Sequence, residues 1–198
     1  MTATDSTSVP RAGRRRDPEV DEAILDATLA LFAEGGYRGI TIEGVAARAG
    51  VGKASVYRRY PTRAALIVDA ARERLCLIHD LVDTGDLRAD LRALMEPLIE
   101  RLRGPQGPML VAFMCERTRD PELSAEWERS VVGRKREHIR QLIVSAIERG
   151  DLPPDTDVEL TAELPSAVIW HHALNALPID RALADRILDH ILGDAPRP

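Results

Sequence analysis

Apolar residues recur at intervals of three and four along nearly the whole chain, and this periodicity excludes most folds. After Asp86, the residues Leu87, Leu91, Leu94, Met95, Leu98 and Leu102 form one such stripe. That spacing places side chains on one face of an α-helix. No window alternates with period two in β-branched residues, and no Asn-Gly or Asp-Gly pair offers a hairpin turn. The expected fold class is all-α.

Start and stop residues divide the stripes into nine expected helices. Asp17-Pro18-Glu19 opens the first, which carries Val20, Ile24, Ala27, Leu31 and Phe32 and ends at Gly35-Gly36. Thr41 can cap a second helix, Ile42 to Ala49, and Gly50 stops it. A third runs from about Gly52 to Arg59, closed by Pro61. Thr62 can cap a fourth that reaches about Val82, with Ile67, Ala71, Ile78 and Val82 on one side. Asp86 starts a fifth. After the breaker Gly104–Pro108, a sixth covers about 109–119. Asp120-Pro121 opens a long seventh to Arg149, Thr156 and Glu159 form a capping box for an eighth to about Leu174, and Asp180 caps a ninth. Pro165 should kink the eighth.

The longest unbroken apolar run, Met109 to Cys115, is seven residues. A membrane span needs about 20, so no membrane association is expected. The sixth helix, which contains this run, should be buried. Residues 1–16 offer no apolar secretion signal and read as a disordered basic arm, so a cytoplasmic location is expected. Cys76 and Cys115 cannot build a disulfide framework or a cysteine zinc site, and should be buried reduced thiols.

The formal charge of −5 argues against nucleic acid until it is resolved by region. Residues 1–16 carry +3, residues 17–35 carry −6, residues 36–63 carry +5 and the remainder −7. A basic N-terminal module on an acidic body fits a nucleic-acid-binding protein. Ordinary charge scatter fits equally well on charge alone.

The residues from Thr41 to Tyr60 are more specific. Two short helices are joined by a turn at Ala49-Gly50-Val51. Val45, Ala46, Val51 and Val56 can form the seam between them. The second helix then presents Lys53, Ser55, Tyr57, Arg58 and Arg59 outward, groups suited to phosphates and base edges. A protruding helix with such a face is what a helix-turn-helix inserts into the major groove. The competing reading is a helical hairpin with a solvated basic face.

Over residues 17–68 the chain resembles the TetR family of bacterial transcriptional regulators. The resemblance rests on Ile24-Leu25-Asp26-Ala27, Leu31-Phe32-Ala33-Glu34-Gly35-Gly36-Tyr37, Thr41-Ile42, Val45-Ala46 and the run Ala49 to Leu66. It implies a helix-turn-helix domain at 17–62 and a larger helical ligand-binding and dimerisation domain at 63–198. It also implies a homodimer on a palindromic double-stranded DNA operator, usually released when a small molecule binds. By matching position, Thr41, Lys53, Ala54, Ser55, Tyr57, Arg58, Arg59 and Arg63 are the implied DNA-contacting set. The chain departs from the common pattern at Gly52 and in carrying two arginines at 58 and 59, where an aromatic is frequent. Arg14, Arg15 and Arg16 can reach a minor groove or contribute little.

Other chemistries fit poorly. Gly50–Ser55 looks like the end of a P-loop, but Ala47 stands where a glycine is required and Ala54 follows Lys53. No Gly-x-Ser-x-Gly, His-Glu-x-x-His or Cys-x-x-Cys motif occurs. His171 and His172 point about 100° apart on a helix and cannot easily share a metal. No enzyme activity, cofactor or metal is expected.

For the second domain, Met109, Phe113, Met114, Trp127, His138 and Trp170 are candidate ligand-pocket residues, with plain core packing as the alternative. The scarcity of aromatics suggests an apolar effector. Leu160, Leu164, Val168, His171, Leu183, Ile187 and Ile191 are the candidate dimer seam, as two hairpins forming a four-helix bundle. The alternative is packing within their own domain. Two functions remain open: a ligand-released repressor, and a constitutive or protein-controlled DNA-binding regulator without a small-molecule ligand.

Overall fold

A computed structural model describes residues 17–74 and 82–193. Among these residues all regular structure is helical, in nine helices. The basic arm, Cys76 and Ile78 lie outside the described residues.

Helix α1 is Pro18–Gly39. Asp17 caps it by accepting from the Glu19 N–H, and Pro18 fills the first turn, where no backbone donor is needed. Gly36 leaves the helical conformation at φ 63°, ψ −167°, a region open essentially to glycine alone. The chain then makes one more helical turn, which swings Tyr37 inward. The break expected at Gly35-Gly36 is therefore a kink followed by a resumed turn.

Helices α2 (Ile42–Arg48) and α3 (Lys53–Tyr57) follow, joined through Gly50 in the left-handed region. Thr41 caps α2 by accepting from the Gly44 N–H at 3.0 Å. Val45, Ala46 and Val56 form the buried seam. Helix α4 is Arg63–Arg74, capped by Thr62, which accepts from the Ala65 N–H. Val82, assigned by the spacing to the end of this helix, is not helical and is exposed.

Helix α5 is Leu87–Arg103 and α6 is Gly107–Arg117. The apolar run in α6 buries only Leu110 and Phe113 fully, with Gly107 at its start. Cys115 falls on the opposite side and is exposed, contrary to expectation, because the helix is covered on one face alone. Pro121–Trp127 and Gly133–Arg149 are joined by a π-helical turn, Glu128–Val132, into one long helix, α7. Helix α8 is Val158–Leu174 and α9 is Arg181–Leu192. Asp157, one residue beyond the expected Thr156, caps α8 by accepting from the Leu160 N–H, while the Thr156 hydroxyl donates to the Pro153 carbonyl. Pro165 lies inside α8, which continues on both sides of it.

The buried side chains form two clusters. The first joins α1 to α4 with Leu110 and Phe113 of α6 and Leu123, Trp127 and Val131 of α7. The second joins α5, the later part of α7, α8 and α9. Packing thus crosses the boundary at residue 63, since Ala64, Leu66, Ile67, Val68, Ala70 and Ala71 of α4 all belong to the first cluster.

A polar contact reinforces this junction. The Tyr37 hydroxyl donates to Asp120 Oδ2 at the N-terminus of α7, and the Arg63 guanidinium lies 4.1 Å over the Tyr37 ring. Burial first, and then the bond to Asp120, hold the Tyr37 phenol up at about 12, so it remains a neutral donor. Asp120 also caps α7 through the Leu123 N–H. The Tyr37 hydroxyl, then that backbone donor, hold the Asp120 carboxyl below its ordinary 3.8. A depressed carboxylate contributes stability above its unfolded pKa and loses it as pH falls through the folded one. Tyr37→Phe should therefore lower stability at pH 7 and flatten the loss of stability below about pH 4. Urea unfolding at a series of pH values checks both, and an unchanged acid limb would refute the contact.

Candidate functional site

The acidic block of α1 and the basic block after it neutralise each other in part. Glu34 holds Arg48 through both guanidinium nitrogens at 2.5 and 2.6 Å, and Asp26 holds Arg74 of α4 at 2.6 Å. Asp21 pairs with Arg59, whose side chain is only 11% exposed. Arg59 also braces Ser55, donating from Nη1 to its hydroxyl at 2.8 Å and to its carbonyl at 3.2 Å. Arg59 therefore faces α1 and not outward as expected, because an acid placed opposite it outcompetes solvent.

Arg63 is likewise turned inward. It stacks on Tyr37 and donates to its carbonyl at 3.3 Å. Thr41 is exposed, with its hydroxyl oxygen used in capping α2. Lys53, Ala54, Tyr57 and Arg58 make up the exposed face of α3, with Lys53 58% and Tyr57 52% open to solvent. Ser55 is half-buried at its margin. Arg38 is also exposed. Lys53 reaches Glu43 of α2 at 2.8 Å, and its ammonium leads in holding the Glu43 carboxyl below the usual range. An exposed pair of this kind is weak and yields readily to a phosphate. The face is thus compact and cationic, and it stands on Val56, which is fully buried beneath it.

Behind this module, α5, α6, α7 and α8 enclose a cavity of about 340 Å³, within the usual range for small-molecule sites. Met114, Trp127 and Trp170 line it. The other pocket candidates do not. Phe113 sits behind Trp127 with ring centroids 4.9 Å apart, Met109 packs on the first cluster, and His138 is half-buried elsewhere on α7. The π-turn puts Glu128, Val131 and Val132 on the cavity wall, as π-turns often do at functional sites.

The cavity also holds charges that the sequence reading passed over. Lys135 lines it without an ion pair or hydrogen bond among the described residues, and burial pulls its ammonium down to about 8. Arg117 lines it with a buried Nε that has no acceptor among the described residues. The periodicity did contain a signal: Leu123, Trp127, Val131, Lys135, Ile139 and Ile143 stand at successive steps of four, so Lys135 interrupts a buried stripe.

The seam candidates divide. Leu183 and Ile187 are 3% and 6% exposed and belong to their own chain's core, which leaves nothing of them for a partner to cover. Val168 and Ile191 pack against the same core. Leu160, Leu164, Ala167, His171 and Leu174 lie open or half-open along one side of α8, opposite its buried Ala162, Pro165 and Ile169. His172 closes the α8–α9 turn through Nδ1 and the Pro178 carbonyl at 2.7 Å. Among the described residues no three metal-ligating side chains stand together, and no helix is long and apolar enough to cross a membrane.

Comparison with known proteins agrees with this architecture. Residues 24–72 match the family of bacterial regulatory proteins of the tetR type, and residues 81–191 match the Tetracyclin repressor-like, C-terminal domain. An uncharacterised HTH-type transcriptional regulator of Mycobacterium tuberculosis, Rv1556, is 30% identical over 186 residues, covering 91% of this chain and 92% of the relative. The crystal structure of the TetR family transcription regulator SCO0332 superimposes with a TM-score of 0.67 at 27% identity, over 90% of this chain and all of the other. FadR of Bacillus subtilis, crystallised with stearoyl-CoA, gives 0.69 at 16% identity over 88% and 98%, a likeness of fold alone. With its helix-turn-helix carried on α2 and α3 and its larger helical domain behind, the chain belongs to the TetR family of DNA-binding transcriptional regulators.

Proposed function

We propose that the protein is a ligand-released repressor that binds a palindromic operator as a homodimer. The exposed face of α3 carries the reading: Lys53, Ala54, Tyr57 and Arg58 are open to solvent on a helix whose other side is pinned by Val56 and Arg59. Lys53 and Arg58 supply phosphate and base-edge contacts, and Tyr57 supplies a phosphate donor or a flat apolar surface. Thr41 adds a contact at the N-terminus of α2. Arg59 and Arg63 act as positioning residues and not as DNA ligands.

The stripe of Leu160, Leu164, Ala167, His171 and Leu174 supports dimerisation through α8. A helix that is apolar on opposite sides needs two partners, and the chain itself covers only one side. Two copies of the α8–α9 hairpin related by a two-fold axis cover the other.

The cavity supports ligand control. Trp127 belongs to both the cavity wall and the cluster that contains α1 to α4, and Met114 lines the cavity while packing on that cluster. A ligand that displaces α7 therefore strains the base of the helix-turn-helix, and through Asp120 and Tyr37 it shifts the end of α1. That moves the recognition helices of the dimer away from the spacing of about 34–36 Å required by successive major grooves. Coupling of about 1–3 kcal/mol, a 5–150-fold change in operator affinity, is typical. A protein of like fold was crystallised with an acyl-CoA, so this fold can take a small-molecule ligand.

Two experiments test the proposal. Lys53→Ala and Tyr57→Phe should each weaken operator binding by about 1–3 kcal/mol with unfolding midpoints unchanged. Glu43→Gln should strengthen binding, since it removes a negative charge beside the DNA and frees Lys53. Titrations by fluorescence anisotropy check these, and parental affinity in both weakened variants would refute the placement of α3. For the dimer, Leu160→Glu combined with Leu174→Glu places charges on an exposed stripe, so the fold should survive while sedimentation shows monomer. A variant that remains dimeric would refute the α8 seam.

A further inference from the structure

The charge lining the cavity is unbalanced. Arg101, Arg117, Lys135 and Arg136 face it against only Glu128 and Glu163, a surplus of two positive charges. The carboxylates are already engaged: Arg136 reaches Glu128 at 2.9 Å and Glu163 at 3.7 Å. Arg101 donates to the Pro97 carbonyl at 3.1 Å. Three cations are left without a carboxylate among the described residues; of these Arg101 has that carbonyl, whereas Lys135 and the Arg117 Nε have no partner there.

Both are placed where a charge without a partner is costly. Lys135 stands between Val131 and Ile139 on the buried stripe of α7, and Arg117 closes α6 with its Nε out of reach of solvent and of any acceptor. The rest of the wall is mainly apolar, including Leu94, Leu98, Ile139 and the two tryptophans. An apolar ligand alone would complete the removal of these cations from water and leave them uncompensated. An anion would compensate them.

We propose that the cavity takes an amphipathic acid, with a mainly aliphatic body along Leu94, Leu98, Trp127 and Trp170, and that Lys135 and Arg117 hold its anionic group. This revises the expectation of a purely apolar effector. It rests on reading the larger domain as the effector domain, but it concerns the ligand's chemistry and can fail separately. The low position of the Lys135 pKa, near 8, agrees with an ammonium held in a poorly solvated place and lacking its counter-ion.

The chain's only two tryptophans, Trp127 and Trp170, both line the cavity, so tryptophan emission, excited selectively over that of the three tyrosines, reports on it. The full-length protein is titrated with decanoate and with decanol, two probes that share a ten-carbon chain and differ in charge. Decanoate should quench with an affinity at least about tenfold above that of decanol. Lys135→Met should reduce this preference to less than about threefold, and Lys135→Arg should retain it. Arg117→Gln, which leaves α7 untouched, provides the same readout if Lys135→Met does not fold. Equal binding of the two probes, binding of neither, or an undiminished preference in both Lys135→Met and Arg117→Gln would overturn the inference. Operator affinity is followed in the same titrations. Decanoate bound without loss of operator binding upholds the ligand class and overturns the release mechanism, whereas release by decanol with no preference for the acid does the reverse.

Discussion

Helix α3, the proposed recognition helix, is five residues long, and a helix that short does not hold its shape alone. Everything this protein does with DNA depends on what fastens α3 to its neighbours. Val56 plugs it into the seam with α2. Arg59, at its C-terminal end, is tied to Asp21 of α1 and ties back to Ser55. Tyr60 follows, 8% exposed, with its hydroxyl donating to Asp69 of α4 at 3.2 Å. Burial and the neighbouring Asp69 charge push that phenol's pKa up, which keeps it a donor. These attachments leave a cationic face free while fixing its direction, and direction is what groove recognition requires.

The same attachments connect the helix-turn-helix to the larger domain. Helices α1 and α4 share one hydrophobic cluster with α6 and α7, so the first domain has no complete core of its own. Trp127, Val131 and Met114 are residues through which that cluster meets the cavity. One residue later α7 widens into a π-turn, where the Gly133 N–H donates to the Glu128 carbonyl. A π-turn beside a cavity is a local defect of the kind frequent at functional sites, and we propose that it gives α7 a second register, the two-state element that allosteric coupling needs. In the proposed cycle, the ligand selects between registers of α7 and the DNA-binding module reports the choice.

Local rules carried the reading of the fold a long way. Caps at Asp17, Thr41, Thr62, Asp86, Asp120 and Asp180 stand where the sequence put them, because a short polar side chain ahead of a helical stripe has one obvious use. The turn at Gly50 and the seam of Val45, Ala46 and Val56 were legible for the same reason. What was not legible depends on contacts distant in sequence. Arg59 looked like a DNA ligand because Asp21, 38 residues away, cannot be assigned to it from spacing. Leu183 looked like a seam residue because a stripe tells which face is buried and not by what. Lys135 carries no motif of its own, although its step of four from Val131 and Ile139 marks it as inward-facing. The acidic content of α1, taken at first as contrast to a basic module, is in part that module's own counter-charge.

The central claim is that α3, presented twice by a symmetric dimer, reads DNA. Selection from a random pool of duplex DNA by the full-length protein tests it most directly. The account predicts enrichment of a two-fold-symmetric sequence whose half-sites lie about one helical turn, or a multiple of it, apart. It also predicts that base preference within each half-site changes when Lys53 and Arg58 are replaced. An enriched sequence without symmetry, or one whose base preferences are untouched by those replacements, would contradict it.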